Sequence, residues 1–349
     1  MNIPEVICVW MMNMRLALIG FGFIGKEFIK VLRNKVTALK EIDRDFKVVG
    51  VADSKGYIYD KEGINLRKLS NLGRLSEYHG YKDGKSALEL INKDLCDIVV
   101  EATPTNIKNG EPGLTHIRRA LSRGLHVITP NKGPLVLAFR ELTSLAEKND
   151  CDFLYEGTVA GAIPIFSLVR ECLRGDKIIR LTGILNGTTN YILSKMYFEE
   201  TSFEIALKEA QERGITERDP SYDVDGIDAA CKIVILANAL MGREAKFEDV
   251  ERIGIRGITQ EAISLAKKAN YAIKLVGIID KRLEVAPKLV PINHPLCVHG
   301  TLNAIYIETD LAREITLVGY GAGKETVSAI LNDLITILKR RSMNGATNS

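Results

Sequence analysis

The sequence has no C-x-x-C pair, no block of like charge, no internal repeat and no low-complexity linker. It also lacks any run of about 18 uncharged apolar residues, so no membrane span is expected. Cys8, Cys96, Cys151, Cys172, Cys231 and Cys297 are scattered, which argues for reduced thiols in a cytoplasmic protein and against a disulfide frame or structural zinc. Lys and Arg total 47 against 44 Asp and Glu, a net charge of +3 with no basic stripe. No nucleic-acid partner is expected from that balance. The N-terminal MNIPEVICVWMMNM has neither a basic start nor a small-residue cleavage site. It reads as an extension, residues 1–13, since Met12 or Met14 would begin the first strand directly. The N-x-T sequon at Asn186-Gly187-Thr188 needs a secretory route that nothing else supports.

What is present fits a soluble chain of about two domains: 349 residues, 46% apolar and 26% charged. The organising stretch is RLALIGFGFIG, residues 15–25. Arg15 to Ile19 reads as a buried parallel strand, Gly20, Gly22 and Gly25 form G-x-G-x-x-G, and Lys26 to Leu32 has helical apolar spacing. Strand, glycine turn and helix in that order open a Rossmann unit, in which the backbone approaches a pyrophosphate at a helix N-terminus. A plain structural turn is the weaker alternative. Phe46 to Ala52 is the second strand, ending at Asp53, an acid placed to take adenosine ribose hydroxyls. Asp53 follows Gly25 by 28 residues, so the first helix or its loop is long, and Lys55 is close enough to meet a 2′-phosphate. NAD and NADP both remain open. Residues 56–84 read as a mostly irregular insertion with a short helix.

Strands at Asp97–Ala102, Leu125–Thr129 and Cys151–Tyr155 alternate with helices at Gly113–Arg123 and Leu135–Lys148. This gives an α/β fold with a doubly wound parallel sheet over residues 14–155, ligands lying at the carboxyl ends of its strands. Thr103, Pro104 and Lys132 sit at such ends. From residue 156 the pattern becomes α+β: helices at Pro164–Leu173, Phe203–Arg213 and Ile227–Met241, another beginning at Asn186–Asn190, a strand at Ile178–Leu185, and antiparallel strands at Leu275–Ile279, Glu284–Val290, Ala304–Thr309 and Glu314–Val318. This second domain, residues 156–318, is followed by GYGAG at 319–323 and a helix from Lys324 to Leu338 that returns to the nucleotide domain over 319–339. The last residues, 340–349, read as a polar, flexible tail.

Asp228 and Lys232 are spaced i, i+4 and share one helix face. In isolation that is an exposed ion pair. Here the helix DAACKIVILANAL is almost wholly apolar, which implies burial, and a buried lysine is costly unless paired. Asp219, Asp223 and Asp225 resemble part of a calcium loop, but Lys232 stands where that loop needs an acid, which excludes an EF-hand. Spacing does not separate Glu217 from a solvated acidic loop. These residues alone point to a cofactor-dependent enzyme and name no substrate.

The strings ATPTN at 102, TPNKG at 129, YEGTVAGAIPI at 155, LNGTTNYIL at 185, RGITERDPSYDVDGIDAACK at 213 and GYGAG at 319 resemble homoserine dehydrogenase, in order, from about Met14 to Leu338. The resemblance implies interconversion of L-homoserine and L-aspartate 4-semialdehyde with NAD or NADP, at the branch to threonine, isoleucine and methionine. It implies Lys232 as catalytic acid/base and Lys132 as a second active-site lysine. Glu217 and Asp228 would hold the homoserine amino end, with Gly187 and Thr188 close to the substrate. Backbone oxygens of Glu156, Val159, Gly161 and Ile163 would surround a monovalent cation, usually sodium, although a close-packed loop of small residues explains that string equally well. Cofactor contacts fall on Gly20, Gly22, Phe23, Ile24, Gly25, Asp53, Lys55, Thr103, Pro104, Lys132 and Gly323. Ile215 stands where some members have tyrosine before the Thr-Glu pair, so no hydroxyl contact is expected there. Neither an ACT domain nor a fused aspartate kinase is expected, nor threonine feedback through an ACT domain.

A semialdehyde dehydrogenase working through a cysteine thioester is the nearest rival, but Cys151 and Cys231 lie in apolar segments that favour inert thiols. A second rival binds NAD(P) without turnover, against which the pairing of Lys132 and Lys232 with Glu217 and Asp228 speaks. Antiparallel strands that need a covered edge make a homodimer the expected assembly.

Overall fold

The structure is a computed structural model that describes residues 13–347. The chain divides into two compact units: residues up to 134, 141–155 and from 330 on form the first, and 135–140 with 156–329 form the second.

The first unit holds a seven-stranded sheet of β1 (Arg15–Ile19), β2 (Lys47–Ala52), β3 (Gly56–Tyr59), β4 (Lys82–Asp83), β5 (Ile98–Glu101), β6 (His126–Ile128) and β7 (Phe153–Leu154), ordered β4-β3-β2-β1-β5-β6-β7. The strands from β2 to β7 in that order are parallel. Their apolar runs are buried on both sides: Leu16, Leu18, Val51, Ile98, Val99, Val100, Val127 and Ile128 have no exposed surface. Strand order reverses between β1 and β5, the place where such sheets take ligands. The helix after β1 runs from Phe23 to Ile42, earlier and longer than Lys26–Leu32, and its 20 residues account for the late position of Asp53. Its core face is Gly25, Phe28, Ile29, Leu32 and Leu39.

Residues 56–84 differ from the irregular insertion expected. They add β3 and β4 antiparallel on the edge side of β2, with helical turns at Leu66–Leu69 and Leu75–Glu77 between them. The reason is local. Asp53 Oδ1 accepts from the backbone N–H groups of Lys55 and Gly56 at 2.9 and 3.0 Å, which turns the chain straight back along β2.

The second unit holds β8 (Ile178–Ile184), β9 (Val250–Arg252), β10 (Tyr271–Ile279), β11 (Leu283–Pro291), β12 (Leu302–Thr309) and β13 (Glu314–Tyr320), ordered β13-β12-β8-β10-β11-β9. All pairs are antiparallel except β9 with β11. The Ile227–Met241 helix lies against β9, β10 and β11, and every residue from Asp228 to Asn238 is buried. The acidic stretch before it contains one helical turn, Ser221–Val224.

The C-terminal helix extends from Lys324 to Thr347, past the Leu338 expected from apolar spacing. The basic residues that read as a tail are instead anchored in the first unit. Arg340 pairs with Asp152 at 2.8 Å, and Arg341 pairs with Asp150 at 3.4 Å and Asp152 at 3.7 Å. The proposed N-terminal extension through residue 12, and residues 348–349 of the tail, lie outside the described residues.

Candidate active site

In the first unit the glycine turn is fixed by space as much as by conformation. Gly20 has φ +111°, and a Cβ there would lie 2.5 Å from the Ala102 carbonyl oxygen and 2.9 Å from Thr103 N. A Cβ on Gly25 would collide with the Gly20 carbonyl oxygen, whereas one on Gly22 would meet nothing within 4 Å. Gly20 and Gly25 therefore let chain pack on chain, and Gly22 borders open space. Gly22 also stands at the N-cap of the Phe23–Ile42 helix without a side-chain cap, so the N–H groups of Phe23, Ile24 and Gly25 precede the first intrahelical bond. That is a backbone anion site of the kind a pyrophosphate occupies. Phe23 is 62% exposed.

Asp53 follows directly on β2, with Lys55 exposed just beyond it. Besides the two turn N–H groups, Asp53 Oδ1 accepts from the Tyr81 hydroxyl at 2.8 Å. Burial and this bond push the Tyr81 phenol up to about 12. Tyr81 lies 28 residues downstream and has no sequence motif that would have singled it out.

At the end of β5 stands Glu101, a carboxylate with no exposed surface that sequence reasoning passed over. Its Oε1 accepts from Thr103 N at 3.1 Å and, in a very short bond, from the Thr103 hydroxyl. Its Oε2 accepts from the Thr129 hydroxyl at 3.2 Å and Asn131 Nδ2 at 3.1 Å. Asn131 is the N-cap of the Lys132–Lys148 helix, its Oδ1 accepting from Gly133 N at 3.2 Å. Thr103 and Lys132 are both partly buried, Pro104 is exposed, and Gly20, Thr103 and the Lys132 turn are gathered around the end of β5. The available signal was an acid closing an otherwise apolar strand, DIVVEA.

In the second unit Lys232 and Asp228 are each 6% exposed. Lys232 Nζ donates to Asp228 Oδ2 at 2.6 Å and to the Leu185 carbonyl at 2.5 Å. The spacing left an exposed ion pair open; burial decides against it. Asn186 Nδ2 donates to Asp228 Oδ2 at 3.0 Å and to Asp223 Oδ1 at 2.7 Å, while Asn186 Oδ1 caps Thr189 N at 2.9 Å. Thr216 donates to Asp223 Oδ2 at 2.9 Å, and the Thr188 hydroxyl donates to the Ile215 carbonyl at 3.3 Å. Four segments thus converge on one ammonium: the end of β8, the start of the Gly187–Glu199 helix, the acidic loop and the Ile227–Met241 helix. Gly187 packs on the Thr301 carbonyl, where a Cβ would lie 2.8 Å away. Tyr222 donates to Cys231 Sγ at 3.6 Å, and burial beside Cys231 and Asp228 raises its phenol. Asn186, Thr216 and Asp223 are additions to the expected set. Glu217 is exposed and has no side-chain hydrogen bond or ion pair among the described residues.

An ammonium has three N–H donors, and two of those on Lys232 are held by Asp228 and Leu185. The arrangement fixes the lysine and leaves one donor for a bound oxygen. That is a buried, fixed ion pair rather than a surface salt bridge.

The loop after β7 begins with a turn at Glu156–Thr158. The Glu156 carboxylate accepts from Phe166 N and Ser167 N, both at 2.8 Å, and from the Ser167 hydroxyl at 2.5 Å. It thereby caps the Ile165–Cys172 helix, and burial raises its pKa against those bonds. Ala160 and Gly161 have φ near +54°, and Gly161 packs on the Tyr320 and Gly321 carbonyls of GYGAG with no room for a Cβ. The Ile163 carbonyl also accepts from Ile165 N at 2.9 Å. Gly323 has φ +81°. Among the described residues no group of three or more His, Cys, Asp or Glu could hold a metal, so a cation here would rest on carbonyl oxygens.

Two family models match the chain. The family model "Homoserine dehydrogenase, NAD binding domain" matches residues 20–156, and the model "Homoserine dehydrogenase" matches residues 164–335. Homoserine dehydrogenase of Methanocaldococcus jannaschii is 48% identical over 330 residues, covering 93% of this chain and 98% of that protein. The NAD(+)-dependent homoserine dehydrogenase of Pseudomonas canavaninivorans is 36% identical, covering 94% and 97%. Among solved structures, a hyperthermophilic archaeal homoserine dehydrogenase mutant in complex with NADPH superposes with a TM-score of 0.80 at 29% identity, covering 93% of this chain and 97% of that one.

Proposed function

Since the chain belongs to the homoserine dehydrogenase family, we propose that it interconverts L-homoserine and L-aspartate 4-semialdehyde with NAD or NADP, on the route to threonine, isoleucine and methionine. The observation that carries the chemistry is the buried Lys232, ion-paired to Asp228 and tied to the Leu185 carbonyl. When bound, the nicotinamide accepts a hydride from the hydroxyl-bearing carbon of homoserine, or returns it in the reverse direction. Everything else falls to the protein. As hydride leaves, the hydroxyl proton must leave too, and Lys232 takes it as the neutral amine, becoming the ammonium; in reduction that ammonium returns the proton to the nascent alkoxide. Asp228 and Leu185 hold the lysine in one rotamer, so little ordering is left for the reacting state. Lys132 serves as the second active-site lysine.

Glu217 and Asp228 bind the amino end of homoserine, with Gly187 and Thr188 alongside. In this assignment Asp228 serves two ammonium groups, and the exposed Glu217 is the residue with an uncommitted carboxylate. For the cofactor, the residues that would hold it are Gly20, Gly22, Phe23, Ile24 and Gly25, with Asp53 or Lys55 for its ribose, then Thr103, Pro104 and Lys132; Gly323 is a further candidate. The backbone oxygens of Glu156, Val159, Gly161 and Ile163 suit a hard monovalent cation such as sodium, and the left-handed pair Ala160–Gly161 gives the curl such a cage needs. Activity that does not respond to exchange of sodium for a bulky organic cation would count against it.

We read the protein as a cytoplasmic homodimer. Cys96, Cys151, Cys172, Cys231 and Cys297 form no disulfide, no helix among the described residues is long and apolar enough to cross a membrane, and edge strand β13 exposes Val318 and Tyr320. Light scattering tests the dimer, and a monomeric mass at working concentration contradicts it. The function itself is tested by following homoserine-dependent reduction of NAD+ and of NADP+. Turnover with at least one is expected, and none with either overturns the reading.

A further inference from the structure

Glu101 is a fully buried carboxylate at the switch point of the parallel sheet, and nothing in the chemistry above uses it. Burying a carboxylate is expensive, so its partners show what it is for. Among the described residues its hydrogen-bond partners are neutral donors from two places: Thr103 N and the Thr103 hydroxyl on Oε1, and the Thr129 hydroxyl with Asn131 Nδ2 on Oε2. His116 adds a ring nitrogen 3.7 Å from Oε1, too far for a hydrogen bond, and that Nδ1 is buried without a hydrogen-bond partner. The carboxylate is therefore a four-point clamp. One oxygen holds the chain that abuts Gly20, and the other holds the turn that begins the Lys132–Lys148 helix.

Asn131 spends Oδ1 on Gly133 N and Nδ2 on Glu101, with Thr103 O at 3.3 Å as a further acceptor. Asn131 N donates to the Thr129 hydroxyl at 3.0 Å, and that hydroxyl also lies 2.9 Å from the Glu101 carbonyl. The packing leaves no slack. A Cβ on Gly113 would lie 2.5 Å from Asn131 Nδ2 and 3.1 Å from Glu101 Oε2. A neutral glutamine of the same shape cannot serve, because its NH2 group would face donors wherever it is placed.

We propose that Glu101 is a positioning residue for the reaction: it fixes Lys132, through Asn131, in register with Thr103 and the glycine turn. The inference rests on the reading of Lys132 as an active-site lysine. Its test is a double-mutant cycle on kcat with homoserine and saturating cofactor, using Glu101→Gln, Lys132→Ala and the pair. Glu101→Gln is expected to lower kcat by roughly 10- to 100-fold, the scale of a misplacement of about 1 Å at a reacting centre. In the Lys132→Ala background the same change is expected to cost less than about threefold, because the lysine it positions is gone. A merely structural carboxylate would give losses that multiply. Should Glu101→Gln not fold, Asn131→Ser replaces it. Serine keeps an N-cap for the helix but cannot reach Glu101, so the same non-multiplying loss is expected. Multiplying losses, or an unchanged kcat in a folded Glu101→Gln or Asn131→Ser protein, overturn the proposal. If Lys132→Ala alone leaves kcat unchanged, it is the assignment of Lys132 that fails, and the clamp with it.

Discussion

The two units prepare for chemistry in different ways. The first offers backbone: a glycine turn, an uncapped helix N-terminus and open space at Gly22, with side chains such as Asp53 and Glu101 occupied in holding that backbone in place. The second offers side chains: Lys232, Asp228, Asn186 and Asp223 joined in one hydrogen-bonded network with its lysine–aspartate pair almost out of water. On the proposed reading, the contrast follows from what each must do. A pyrophosphate is large, doubly charged and unreactive here, so many weak N–H donors held rigidly suffice. Moving a proton needs a single titratable group at a fixed point, and burial makes each charge around it count for more.

The largest expected effect comes from spoiling the backbone device. Gly20→Ala forces a side chain onto φ +111° and within 2.5 Å of the Ala102 carbonyl oxygen. Strain alone costs about 1–3 kcal/mol, and the turn must shift to relieve the contact. Calorimetric titration with NADH and NADPH should show binding lost, together with a lower Tm. Tight binding in this variant would mean that the backbone turn is not the nucleotide site. Next comes a residue of the second unit that acts in both ways. Glu156→Ala removes the acceptor for Phe166 N, Ser167 N and the Ser167 hydroxyl while leaving the Glu156 carbonyl in place. Denaturant unfolding should show a loss of about 1–3 kcal/mol, the cost of stranding buried donors. If stability is kept, the carboxylate is not the cap described here.

The smallest effect concerns a buried lysine that takes no part in the proposed reaction. Lys274 on β10 is 1% exposed, donates to Asn190 Oδ1 at 2.8 Å and Ser194 Oγ at 3.3 Å, and lies 3.3 Å from His299 Nδ1. Burial lowers its pKa from 10.5 to about 8, with Cys297 a minor opposing influence. Between about pH 8 and 10.5 the unfolded chain therefore binds the extra proton, so this group makes stability rise with pH across that window. Below about pH 8 both states are protonated and its contribution is flat. Tm measured at pH 8 and pH 10 should rise less in Lys274→Met than in the wild type. Equal changes would mean that Lys274 titrates as it does in water.

The same contrast explains what could be read from the sequence. Backbone devices write themselves into sequence because Gly20 and Gly25 admit no other residue, and both the turn and the parallel sheet were legible. The Ile227–Met241 helix was legible for a similar reason, since its apolar run is continuous. Side-chain networks leave little trace. Asp228 and Lys232 were visible only because they are i, i+4 neighbours, whereas Asn186, Asp223 and Thr216 meet them from separate segments. Strand β4 escaped because it is the sheet edge, where Lys82 and Asp83 are exposed and no apolar period marks it, and β3 because its four residues, GYIY, are too short a run to show a period. The end of the C-terminal helix escaped because its anchors, Asp150 and Asp152, lie nearly two hundred residues upstream.

The central claim is that Lys232 moves the proton, and one measurement addresses it most directly: kcat for homoserine oxidation by wild type and Lys232→Ala, with cofactor binding measured on both. The account predicts a fall in kcat of at least about a hundredfold, the scale of a lost acid/base group, with NAD(P) binding retained. Unchanged turnover in Lys232→Ala would contradict it.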